Sequence, residues 1–131
     1  MAGSITVSTI SNDTGVFAAQ NAVTGIPKAW LNYNQETQTI RNSFNISSVV
    51  YNGTGDVTVN FTTAMPNANY TVTASSQNDP GTAPQIVSIF YARTPNNRES
   101  PTSSSFRISN MVANNGAPIN SGFVCCAVFS S

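Results

Sequence analysis

The residues of this chain that could do chemistry are five carboxylates, Asp13, Glu36, Asp56, Asp79 and Glu99, and two adjacent thiols, Cys125 and Cys126. Two carboxylates facing each other across a cleft would support glycoside hydrolysis. A thiolate or a serine nucleophile would need an activating base. The sequence has no histidine, so the commonest general base and metal ligand is missing. Each carboxylate falls in a turn or loop region: Asp56 follows "NGTG" and Asp79 precedes Pro80. Turn-stabilising hydrogen bonds are the ordinary use of an acid in such places. "GTGD" lacks the lysine and the following helix of a phosphate-binding loop, and adjacent cysteines are not a metal-binding spacing. On a strand the two thiols point to opposite faces, so they read as small buried or half-buried apolar side chains rather than a disulfide. The expectation is no enzyme, no metal and no cofactor.

Composition narrows the partners. The 131 residues fit one ordinary domain, and 8% of them are charged, against roughly 25% in typical soluble proteins. Five bases (Lys28, Arg41, Arg93, Arg98, Arg107) balance the five acids, which leaves no electrostatic footprint for nucleic acid or an anionic membrane. Phe90-Tyr91-Arg93 and Phe106-Arg107 bring aromatics near arginines, but alternation sends the members of each pair to different faces, against stacking on single strands. No segment approaches the roughly 18 apolar residues of a membrane-spanning helix. "MAGSITVSTI" lacks the basic start and apolar run of a secretory signal, which predicts synthesis in a reducing cytosol. Trp30, the one tryptophan, could stack on a sugar, but Ala29 and Leu31 flank it within a strand and it reads as structural.

The elements that would position these groups are strands. "AAQNAV" (18–23) has room for one helical turn before Gly25 and Pro27. Strand patterns run through "SITVSTI", "KAWLNYN", Ile40–Tyr51, Val57–Thr63, Tyr70–Ser75, Ile86–Arg93, Ser105–Met111 and Phe123–Phe129. In "KAWLNYN", Leu31 and Tyr33 share one face and Trp30 takes the other. Asn52-Gly53 and Gly55 mark a hairpin turn that pairs Ile40–Tyr51 with Val57–Thr63. Seven or eight short strands predict a single all-β domain, an antiparallel sandwich or jelly roll, over residues 27–131. Residues 1–26 read as an arm or stalk. "QIVSIFYA" and "FVCCAVF" are apolar on both faces, so their second face is expected to meet another subunit.

Three loops rich in Pro, Gly and Asn, 76–85, 94–104 and 112–122, are the expected recognition surfaces, because binding residues tend to sit on loops held by a rigid scaffold. Their candidate residues are Asn78, Asp79, Asn96, Asn97, Arg98, Glu99, Asn114 and Asn115.

"KAWLNYN", "IRNSFNISSVVYNGTGDVTVNFTTAMPNANYTV" and the ending "GFVCCAVFSS" together resemble a module at the C-termini of tail-fibre-like virion proteins of tailed bacteriophages, especially phages of marine and freshwater bacteria. The resemblance is close over residues 28–75 and looser in the last strand. "GSITVSTISNDTG" is similar to the segment that precedes the module in longer fibres. The resemblance implies a β-sandwich in a homotrimeric virion component, assembled in the host cytoplasm, with other virion proteins as partners and no catalytic residues. Attachment to a host cell-surface glycan is the leading expectation. The alternative is a capsid cement protein whose residues 1–26 cross a subunit boundary, "SITVSTI" adding a strand to a neighbour's edge. With about 26 residues ahead of the module in place of a long shaft, the chain is expected to be a small separate virion protein or a piece of a fibre.

Overall fold

The structure, a computed structural model, describes residues 9–12, 15–18, 25–77, 84–89 and 100–131. Its strands are β1 (Thr9–Asn12), β2 (Gly15–Ala18), β3 (Ala29–Asn34), β4 (Thr39–Phe44), β5 (Ile46–Gly53), β6 (Asp56–Phe61), β7 (Thr71–Ser76), β8 (Gln85–Ile89), β9 (Ser105–Val112) and β10 (Val124–Phe129). They form two four-stranded sheets, ordered β4-β3-β10-β7 and β5-β6-β9-β8, and every pairing is antiparallel. The all-β sandwich read from the sequence is the observed fold.

Alternation builds the core. Ala29, Leu31 and Tyr33 of β3, Val124, Cys126 and Val128 of β10, Val57, Val59 and Phe61 of β6, and Phe106 and Ile108 of β9 are buried and pack face to face between the sheets. Trp30 lies on the other side of β3, as the pattern requires. Cys126 is in the core and Cys125 faces out; both are free. Burial, and secondarily the neighbouring Cys125, pushes the Cys126 thiol up to about 12.

The run Ile40–Tyr51 is not one strand. It divides at Asn45, so that β4 joins one sheet and β5 the other. Asn45 has φ of +56°, a left-handed conformation that asparagine tolerates better than most residues. Its side chain makes the corner a junction. Nδ2 donates to the Lys28 and Thr63 carbonyls at 3.0 and 3.1 Å, and Oδ1 accepts from the Thr63 amide at 2.7 Å. The hairpin half of the expectation holds, with β5 pairing β6 across the Asn52–Gly55 turn.

β1 and β2 form their own two-stranded sheet, with Ile10 opposite Phe17. The expected strand at Ile5–Ile10 begins at Thr9, and residues 1–8 lie outside the described residues. So do 19–23 of the "AAQNAV" stretch and 90–93 of Ile86–Arg93; Ala18 ends β2.

Candidate functional site

The strand directions give the sandwich two unlike ends. At one, the chain enters through residues 25–28 and finishes at Ser130-Ser131. The Asn45 corner lies there, and Ser103 and Ser104 accept from the Met65 and Phe61 amides at 2.8 and 2.9 Å. An apolar groove of about 460 Å³ opens at this entry end, lined by Ile26, Pro27, Phe44, Met65 and Pro66 among others. The opposite, far end carries the 35–38 and 53–55 turns, the 113–123 loop, and Gln77 and Pro84 on either side of residues 78–83.

At the far end the apolar core gives way to a buried layer of amides and hydroxyls. Gln35, Ser109, Asn110 and Ser121 are fully buried. The Asn110 amide Nδ2 donates to Gln85 Oε1 at 2.9 Å and to Gln35 Oε1 at 3.4 Å. Ser76 Oγ donates to Asn110 Oδ1 at 3.1 Å, and the Ser121 amide donates to Gln35 Oε1 at the same distance. Ser121 Oγ reaches the Gln77 carbonyl at 3.0 Å. These bonds tie β3, β7, β8, β9 and the 113–123 loop into one rigid platform. The Gln35 and Gln85 Nε2 groups find no acceptor in it.

The surface over this platform holds the exposed chemistry. Arg41 lies at the bulge of β4, donates to the Gly122 carbonyl and places its guanidinium carbon 3.8 Å from the Phe123 ring centroid. This is cation–π geometry on an aromatic side chain that is 43% exposed. Glu36 Oε2 and Gln77 Oε1 both come close to Gly122. Asn114 and Asn115 stand exposed on the same end, and Asn115 Oδ1 accepts from the Ala117 amide at 2.9 Å. Asn120 staples the neighbouring turn, accepting from the Gly55 amide at 2.7 Å and donating to Tyr51 at 3.3 Å. The bonds from Asn120 and Thr54 hold the Tyr51 phenol below its ordinary range.

Of the predicted recognition residues, Asn114 and Asn115 thus belong to the far end, whereas Asn78, Asp79, Asn96, Asn97, Arg98 and Glu99 lie outside the described residues. The three loops do not share one end. Ser100–Ser104, the described part of the 94–104 loop, sits at the entry end. Sequence reasoning missed Gln35, Arg41, Gln77, Asn110 and Phe123. A signal for Gln35 was present, since it continues the buried alternation of Ala29, Leu31 and Tyr33.

Asp56 braces the turn as its position suggested, Oδ1 accepting from Asn52 Nδ2 at 3.4 Å, and also reaches beyond it. Its carboxylate is 5% exposed as a residue and pairs with Arg107 across two strands. Among the described residues, no three His, Cys, Asp or Glu side chains gather as metal ligands. No helix among them is long and apolar enough to cross a membrane. No protein-family model matches the chain, and no curated protein or solved structure matches it.

Proposed function

We propose that this chain is a non-enzymatic, homotrimeric component of a tailed-phage virion that attaches the particle to a glycan of the host surface. The observation that carries this reading is the polarity of the sandwich. Residues 25–28 and 130–131 lie at one end, and the opposite end presents Phe123, Arg41, Glu36, Gln77, Asn114 and Asn115 on a hydrogen-bonded platform. An exposed ring flanked by carboxamides and one ion of each sign is suited to sugars, which offer apolar C–H faces for stacking and hydroxyls for amides. Three such sites on a trimer, repeated around a tail, would convert weak single contacts into firm adsorption. The resemblance to fibre-terminal modules points the same way.

A second reading, capsid cement, is favoured by the separate β1–β2 sheet. A lone two-stranded hairpin is marginally stable in water, and docking on a neighbouring virion subunit would support it.

Quantifying the chain against the major capsid protein in purified virions separates the two. Tens of copies per particle support attachment, and near-equal stoichiometry supports cement. The purified protein should then block adsorption of the phage to host cells, and Phe123→Ala should remove that block. A block that survives Phe123→Ala would exclude the far end as the attachment site.

A further inference from the structure

Two asparagines of this chain are followed by glycine, Asn52 before Gly53 and Asn115 before Gly116. Asparagine is thermolabile because the backbone nitrogen of the next residue can attack its side-chain carbonyl carbon. Glycine in that next position has no Cβ to shield the nitrogen or to restrict the backbone as a five-membered ring closes. In sequence the two sites are equivalent. In the fold they are not.

Asn52 is anchored through the group that would have to leave. Its Nδ2 donates to Thr58 Oγ1 at 2.8 Å and to Asp56 Oδ1 at 3.4 Å. These bonds tie the carboxamide to β6, and expelling the nitrogen would cost both acceptors a donor. Asn115 is anchored the other way round. Its Oδ1 accepts from the Ala117 amide at 2.9 Å, closing an Asx turn, and its Nδ2 has no partner among the described residues. A donor on Oδ1 stabilises the negative charge that gathers there when the carbon beside it is attacked. Asn115 and Gly116 are both exposed, and a Cβ on Gly116 would meet nothing within 4 Å, so solvent reaches the reacting atoms.

We infer that Asn115 is a deamidation site of the folded protein and that Asn52 is not. The Gly116 nitrogen gives its proton to hydroxide and bonds to Asn115 Cγ. The Cγ–Nδ2 bond breaks, and the side-chain nitrogen leaves as ammonia with a proton taken from water. Water then opens the cyclic imide at either carbonyl, which leaves aspartate or isoaspartate at position 115. The Gly116 amide donates to the Val112 carbonyl at 2.9 Å, so the reaction waits on local opening of that bond and runs slower than in the unfolded chain. The product lacks the free Nδ2 donor and carries a new carboxylate, which takes the formal charge of the chain from 0 to negative.

Peptide mapping by mass spectrometry, after storage of the purified protein in warm, mildly alkaline buffer, reads each asparagine separately. The folded protein is expected to convert at position 115 and stay intact at position 52. In guanidinium both positions should convert, position 115 faster than in the fold. Asn115→Gln should leave the folded protein unconverted at both places. An intact Asn115 in the folded wild type overturns the inference, and so does an Asn52 that converts as fast as Asn115 in the fold. A second arm rests on the attachment reading above, whereas the mapping does not. The converted form, separated by ion exchange, should block phage adsorption less well than the unconverted form, because a hydrogen-bond donor is gone from the far end. Equal blocking overturns that consequence, and a freshly purified protein that blocks nothing overturns attachment itself; the mapping decides the deamidation in either case.

Discussion

Arg107 closes on both oxygens of the Asp56 carboxylate, Nε to Oδ1 and Nη2 to Oδ2, each at 2.7 Å. Asp56 lies opposite Ser109 and Arg107 opposite Thr58, so the pair runs diagonally across β6 and β9. The side chains are 7% and 19% exposed, so water screens the bridge only at its arginine side. Removing one partner of a fully buried pair costs about 3–5 kcal/mol. The partial exposure of Arg107 lowers the expectation for Asp56→Asn to about 2 kcal/mol. Chemical denaturation of both single variants and of Asp56→Asn with Arg107→Met tests it. The double variant should lose less than the sum of the singles, and strict additivity would show that the two side chains are uncoupled.

Asn45 predicts an ordering of substitutions. Asn45→Gly keeps access to the +56° φ but removes three side-chain hydrogen bonds, whereas Asn45→Ala loses the bonds and strains the backbone. Both should destabilise the fold, with alanine worse than glycine by about 1 kcal/mol. Denaturation midpoints check the order; equal midpoints would mean that the corner relaxes its φ without cost.

The same residue shows where the sequence was legible and where it was not. β3 and β10 keep an unbroken alternation, and their inward faces, Ala29-Leu31-Tyr33 and Val124-Cys126-Val128, could be read directly. Around Asn45 the register shifts between Asn32 and Tyr33 and again between Ile46 and Ser48, so the period of two is interrupted on both sides of the corner. One strand and two strands on different sheets then have the same appearance in sequence. The partners of Asp56, 51 residues away, and of Gln35, 75 and 86 residues away, are set by sheet order, which no local pattern encodes. The far-end surface was missed for that reason: Arg41 lies within β4 and Phe123 just ahead of β10, and they meet only because β3 pairs with both strands.

Gly55 is fixed by both conformation and space. It has φ of +70°, and a Cβ there would run into the Asn110 carbonyl oxygen and lie 2.9 Å from that of Ile119. Neither obstacle is a flexible side chain. The Gly55 carbonyl also accepts from the Asn110 amide at 2.6 Å, so the turn cannot back away without loosening the buried amide layer. Gly55→Ala is expected to cost about 3 kcal/mol or more, combining backbone strain with a steric clash. Thr54→Ala, one residue earlier at an exposed position, should cost less than about 1 kcal/mol. Thermal unfolding of the two variants compares them, and a Gly55→Ala protein as stable as Thr54→Ala would contradict the close approach.

Alkaline pH should unfold the protein through groups that the core keeps protonated. The Tyr70 hydroxyl lies 2.9 Å from both the Thr102 and Ser105 carbonyl oxygens, and its ring packs edge-on against Phe61 at 5.5 Å. Burial pushes this phenol up to about 12 from 10.0, and it pushes the Cys126 thiol up to about 12 from 9.0. Burial raises Tyr33 as well. In the unfolded chain these groups release their protons near their ordinary values, while the folded chain holds Tyr70 and Cys126 to about 12 and Tyr33 above its ordinary value. Across that window the unfolded state binds fewer protons, so stability that is complete below about pH 9 falls as pH rises toward about 12. Tyr51, shifted down by Asn120 and Thr54, opposes the fall, but as a single half-buried phenol against three raised groups. Denaturant midpoints measured from about pH 8 to about pH 12 should therefore decline, most steeply above about pH 10, where the phenols join the thiol. Tyr70→Phe should start lower, because Thr102 and Ser105 lose a donor, and should decline less steeply above about pH 10. A wild-type midpoint that stays flat to about pH 12, or a Tyr70→Phe profile parallel to the wild type, would show that Tyr70 does not hold its proton in the fold.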